Sequence, residues 1–120
     1  MLTELGKELR KLRIDNDEKM IEMAERLDKS PAFISAIETG KKSPPADIEQ
    51  MVIRIYGLAG EAAQRIRLAA DRSRNAFVLQ PNNALGRDTA ALMARRMNNL
   101  STTDLEEIHQ ILVRGAKKDE

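Results

Sequence analysis

Two hydroxyls and two ammonium groups fall close together in the first half of the chain: Ser30 and Ser35, then Lys41 and Lys42. A hydroxyl both donates and accepts a hydrogen bond, and an ammonium group is a compact point charge suited to phosphate. Alone, the lysine pair reads as a solvated loop; only its place after the helix that Ser30 and Ser35 belong to suits it to an anionic partner. His109 is the one histidine and cysteine is absent, so thiolate metal sites are excluded and a histidine-based zinc site is disfavoured. No carboxylate dyad and no nucleophile beside a base stands out. The chain therefore does not read as an enzyme, and no cofactor or metal is implied.

The elements that must carry these groups are legible from spacing. Met20 to Thr39, MIEMAERLDKSPAFISAIET, reads as two short helices joined by a tight turn. Met20, Met23, Ala24 and Leu27 form the buried face of the first, expected over about 18–27, and Ala24 is small enough to let a second helix approach. Asp28-Lys29 makes the bend. Ser30 is placed to cap the next helix, 31–38, with Pro31 at its first position, where a missing N–H costs nothing. Ile34 and Ile37 point inward; Pro31, Ala32, Ser35 and Ala36 point out. Thr39-Gly40 stops the helix, Gly40 suiting a left-handed cap. This is the pattern of a helix-turn-helix, whose outward face enters a DNA major groove.

Around it the chain reads as all-α. Leu2, Leu5, Leu9 and Leu12 mark a first helix over about 2–15 with Thr3 as N-cap, ended by the turn residues Asp15-Asn16-Asp17. Lys41-Lys42-Ser43-Pro44-Pro45 is a rigid basic loop. Ile48, Met51, Val52 and Ile55 mark a fourth helix over about 46–56, broken by Gly57. A fifth, about 59–73, turns Ala62, Ile66, Ala69 and Ala70 inward. The arginines at 65, 67, 72 and 74 read as a solvated or dimer-flanking face in preference to a second phosphate-contacting strip. Residues 76–80, AFVLQ, prefer a strand that either pairs with its twin in a homodimer or serves as an extended connector. Two more helices are expected at about 84–98 and, capped by Ser101, at about 102–114, with Gly115 and the charged tail fraying. With three aromatic residues in all, the core must come from aliphatic side chains, which suits packed helices.

The text LRKLR at 9–13, MIEMAERL at 20–27 and SPAFISAIETGKK at 30–42, followed by an apolar fourth helix, resembles the DNA-binding domain of the Xre/Cro-type regulators, the lambda-repressor-like family. FISAIETGKK is the most specific piece, and the likeness covers residues 5–56, a little under half of the chain. It implies a lambda-repressor-like helix-turn-helix fold for the first part of the chain; the helical pattern divides the whole into a five-helix domain over 1–74 and a helical extension over 75–120, which the likeness does not explain. The likeness further implies that Arg13 and Glu38 form a structural ion pair, that Ser30 and Ser35 touch phosphate or a base edge, and that Pro31, Ala32 and Ala36 sit where bases are read. Lys41 and Lys42 match a phosphate-gripping loop, and Met20 a position whose backbone N–H meets phosphate. Phe33 and Thr39 complete the candidate DNA contacts; Phe33 equally suits half-packing on the scaffold. Two departures stand out. Asp28 replaces the usual turn glycine, and the reading positions carry no side chain able to bond a base edge bidentately. Recognition by thymine methyls and by DNA shape is the expectation.

Net charge is +1, and residues 1–57 carry ten Lys/Arg against eleven Asp/Glu. Non-specific affinity for DNA should be modest, and two copies acting on two half-sites would raise it. Leu85, Leu92, Met93, Met97, Leu105, Ile108 and Leu112 exceed what two lone helices can bury on each other, so residues 76–114 are expected to form a homodimer interface or to pack on the fifth helix beside it. The leading expectation is a homodimeric repressor binding double-stranded DNA at a palindromic operator. The alternative is an antitoxin whose C-terminal half clamps a protein toxin while its DNA binding autoregulates. A small-molecule sensor is disfavoured by the scarcity of aromatics, and a self-cleaving serine–lysine peptidase domain by the helical pattern of 84–114. No apolar run approaches the roughly 18–20 residues of a membrane span, and no signal peptide opens the chain, which reads as cytoplasmic.

Overall fold

The computed structural model describes residues 1–118. Among them lie seven α-helices and no strand: α1 Glu4–Asp15, α2 Met20–Arg26, α3 Pro31–Glu38, α4 Ile48–Tyr56, α5 Gly60–Arg72, α6 Ala84–Arg96 and α7 Thr102–Lys118, with a 3-10 turn at Met97–Asn99. No helix of the described residues is long and apolar enough to cross a membrane. The chain divides into two compact units at Phe77/Val78.

In the first unit α1 packs on α3 and α5, α2 on α3, and α4 on α5. The core is aliphatic: Leu5, Leu9, Met23, Leu27, Ile34, Ile37, Ile48, Val52 and Ile66, with Ala24, Ala69 and Ala70 where helices come closest. Each large side chain buried in this way contributes about 1.5–3 kcal/mol. The inward stripe of α5 runs Ala63, Ile66, Ala69, Ala70 rather than starting at Ala62, which is half-buried. Ala62 and Ala63 are the same residue type, so packing against α1 and α4 decides the phase.

The caps explain where the helices begin and end. Thr3 accepts the Gly6 N–H at 3.0 Å and starts α1. α2 begins at Met20, later than Glu18, because Lys19 is extended and its N–H is taken by the Glu22 carboxylate at 2.9 Å. α4 begins at Ile48 rather than 46, since Ala46 and Asp47 form the turn that follows Pro44-Pro45. The C-termini of α1 and α2 share one device. Asp17 (φ 51°) and Asp28 (φ 56°) adopt the left-handed conformation. The next residue's N–H then reaches back to the third-last helical carbonyl: Glu18 to Arg13 at 2.8 Å, Lys29 to Ala24 at 2.9 Å. These are Schellman closures with aspartate in the place glycine usually takes, at a strain of about 1 kcal/mol.

Beyond residue 77 the pattern changes. Residues 76–80 form no strand in the single chain, having no ladder partner, and Phe77, Val78 and Leu79 are exposed. Asn83 caps α6 by accepting the Gly86 N–H at 2.7 Å, and Ser101 caps α7 by accepting the Asp104 N–H at 3.0 Å. α6 ends at Arg96 and tightens into the 3-10 turn. α7 does not fray at Gly115 but continues to Lys118; a mid-helix glycine costs about 1 kcal/mol and does not force a stop. The final two residues of the charged tail lie outside the described residues. No side chain from 78 to 115 is buried.

Candidate nucleic-acid interface

One face of α3 is held by the rest of the first unit and the opposite face is left open. Ile34 and Ile37 are buried at 0% and 1% exposure, and Glu38 at 3%. Pro31, Ala32, Ser35 and Thr39 lie together on the exposed side, with Ala36 half-buried at its edge. The start of α3 is tight. Ser30 Oγ accepts the Phe33 N–H at 3.1 Å, and Pro31 occupies the first helical position. The capping bond uses the Ser30 oxygen as acceptor, which leaves its O–H free to donate outward. The end is equally fixed. Thr39 Oγ1 donates to the Ser35 carbonyl at 2.9 Å, Gly40 takes φ 78°, and the Lys42 N–H donates to the Ala36 carbonyl at 3.1 Å.

The buried end of α3 is gripped by α1 in three ways. Arg13 forks onto the Glu38 carboxylate, one arm at 3.1 Å and the other shorter. The Arg13 and Glu38 side chains are 11% and 4% exposed, so the pair is nearly dry. Thr3 donates its N–H to the Glu38 carbonyl at 2.8 Å. Gly6 lies directly against the Glu38 backbone, where a Cβ would come within 2.9 Å of Glu38 Cα. Glu38 is therefore the point at which the orientation of α3 is set. Its charge is neutralised internally, and the open face of α3 carries no charged side chain of its own.

Cations flank that neutral face. Lys41 and Lys42 follow its C-terminal end, both exposed, and Lys29 precedes its N-terminal end. Lys29 was not expected from the spacing; its position immediately before the N-cap was the available signal. Phe33 is half-buried and packs on the core. Met20 is half-buried and also packs on the core, so its side chain serves α2 rather than the surface.

The arginines of α5 and the residues just after it divide. Arg65 and Arg72 are exposed and reach Glu8 and Glu4 of α1 at 4.0 and 3.4 Å. Arg67 is exposed. Arg74 departs from the solvated face expected of it. Its side chain is 10% exposed; it forks onto Glu49 at 2.7 and 2.6 Å and donates to the carbonyls of Pro44, at 3.1 Å, and Pro45. It thus pins the loop behind Lys41 and Lys42 to α4. Burial pushes the Glu49 carboxyl up, but the hydrogen bonds and charge of Arg74 outweigh it and hold the group below its ordinary value of 4.5. The sign follows: the contribution to stability is complete above about pH 4.5 and is lost as pH falls through the lower folded-state value. Glu49→Gln is expected to lower stability by about 2 kcal/mol at pH 7, with the gap to the parent narrowing below pH 4.5. Urea titrations at neutral and acid pH measure both; a gap that stays constant would show that the charge of Glu49 does not matter.

A second polar pin fixes α2. Tyr56 Oη donates to Glu18 at 2.6 Å, Arg26 bonds the same carboxylate at 2.6 Å, and the Arg26 guanidinium stacks 4.1 Å above the Tyr56 ring. Burial, then the bond to Glu18, pushes the Tyr56 hydroxyl well above its usual range. The single tyrosine was the only sequence signal for this cluster.

In the second unit, Leu85, Leu92 and Met97 on the α6 segment and Leu105 and Leu112 on α7 are exposed, and Met93 and Ile108 are half-buried. Leu85 and Leu92 are seven residues apart on α6, as are Leu105 and Leu112 on α7, so each pair falls on one helical face. Comparison with protein-family models, with curated proteins and with solved structures finds no match.

Proposed function

We propose that this chain is a sequence-specific, DNA-binding transcriptional regulator. In this reading α2, its aspartate turn and α3 are a helix-turn-helix within a five-helix, lambda-repressor-like unit of Xre/Cro type. The α3 face enters the major groove. The observation that carries the reading is the open, uncharged face of Pro31, Ala32, Ser35 and Thr39, fixed from behind by the buried Arg13–Glu38 fork and flanked by lysines at both ends. A groove-facing surface must approach base edges without a carboxylate, while cations at its margins meet the phosphates. Ser30 and Ser35 supply hydroxyls, and Ala32 and Pro31 supply apolar contact for thymine methyls. The exposed apolar residues of α6 and α7 support homodimerisation, which would present two α3 helices to two half-sites of a palindrome. The protein would then act as a repressor in the cytoplasm.

The test is a binding selection from random duplex DNA together with a footprint on the region upstream of the protein's own reading frame. One palindromic site should be enriched. Ala32→Glu should bind that site at least about 100-fold more weakly, since a carboxylate at the groove floor costs several kcal/mol, with helical signal and oligomeric state unchanged. Enrichment of no site, or undiminished binding by Ala32→Glu, would remove the reading. The same exposed apolar faces support a second reading, an antitoxin whose C-terminal unit clamps a toxin. Co-purification of a small basic protein encoded by the neighbouring frame would favour it.

A further inference from the structure

Lys29 and Lys42 enter from opposite ends of α3, yet both ammonium groups lie over the same ring. Their Nζ atoms are 5.3 and 4.9 Å from the centroid of Phe33. The bases of both side chains are anchored, because the Lys29 N–H is bonded to the Ala24 carbonyl at 2.9 Å and the Lys42 N–H to that of Ala36 at 3.1 Å. Phe33 itself is packed on the core. Among the described residues, no carboxylate lies within ion-pair distance of either ammonium group. Two cations are thus each held by the quadrupole of a single aromatic ring, with no carboxylate of the protein paired to either. Both charges are left for an external anion.

We infer that Lys29, Phe33 and Lys42 form one clamp for the phosphodiester backbone beside α3, with both lysines as phosphate contacts and Phe33 as the positioning residue. The inference rests on the DNA-binding reading above and adds Lys29 and the role of the ring to it. An exposed lysine ordinarily loses much of its side-chain freedom on meeting phosphate. Here the ring restricts both stems beforehand, so less is lost on binding. In a domain whose charges nearly balance, such pre-ordering lets few cations hold a duplex.

The experiment measures affinity of the full chain against salt concentration, for a duplex carrying the enriched site and for a scrambled duplex of equal length. Lys29→Gln should reduce the slope of log affinity on log salt by about 0.9 on both duplexes. Phe33→Leu should weaken binding about five- to tenfold, and Phe33→Tyr, which keeps a ring, should restore it. The Phe33→Leu loss should vanish in a Lys29→Gln/Lys42→Gln background, which a purely scaffolding role for the ring would not produce. An unchanged slope for Lys29→Gln, or a Phe33→Leu loss that persists without the lysines, overturns the clamp while the parent still binds. A parent that binds neither duplex overturns the DNA-binding reading and the clamp with it.

Discussion

Glu38→Ala is expected to destabilise the N-terminal unit by about 3–5 kcal/mol, the cost of leaving a buried charge without its partner. The Arg13 side chain is 11% exposed and would keep its guanidinium against the Met23 sulfur with no carboxylate to meet it. A domain of this size has about 5–10 kcal/mol of stability in total, so the variant should be half unfolded by mild heating. Urea unfolding followed by circular dichroism measures it. The control is Arg13→Met/Glu38→Leu, which removes both charges and should recover most of the loss. If Glu38→Ala costs less than about 1 kcal/mol, the fork is solvated in solution and does not set α3.

Gly6→Ala is the second large effect, and its sign is diagnostic. Alanine in place of glycine inside a helix ordinarily stabilises by about 0.5–1 kcal/mol. At residue 6 the added Cβ would come within 2.9 Å of Glu38 Cα and 3.0 Å of Glu38 C. Both are backbone atoms with no rotamer to yield, so α1 must lift away from α3. Overpacking of this kind costs about 1–3 kcal/mol, which lowers the melting temperature by about 4–8 °C per kcal/mol in a domain of 60–100 residues. The same displacement turns the open face of α3, so on the DNA-binding reading operator affinity should fall further than stability does. A variant that melts higher than the parent would show that α1 and α3 do not approach as closely as described.

The helical plan of the first unit is legible in the sequence because local and tertiary signals agree there. Leu5 and Leu9 lie on one stripe, Ser30-Pro31 is both a cap and a start, and Ile34 and Ile37 recur at helical spacing. What escaped depends on residues far apart in the chain. Gly6 looks like a flaw in α1 until Glu38 is seen against it. Arg74 shares a segment with three exposed arginines, and only the carbonyls of Pro44 and Pro45 and the carboxylate of Glu49 distinguish it. Lys29 reads as a turn residue until its ammonium group is seen over the Phe33 ring, which Lys42 also meets. On α7 the local signal misled, because Gly115 suggests a stop and the helix passes through it.

The bonds from Thr3 to the end of α3 also make the short helices depend on a long-range closure. Thr3 caps α1 and at the same time reaches Glu38, 35 residues along the chain. Closing a loop of that length costs about 3 kcal/mol of chain entropy before any contact repays it. Inside the loop lies α2, seven residues long and too short to persist alone in water. α3, with eight residues, is no better able to stand by itself. The aspartate turn, α2 and α3 therefore hold their structure only together, when the loop is closed on α1.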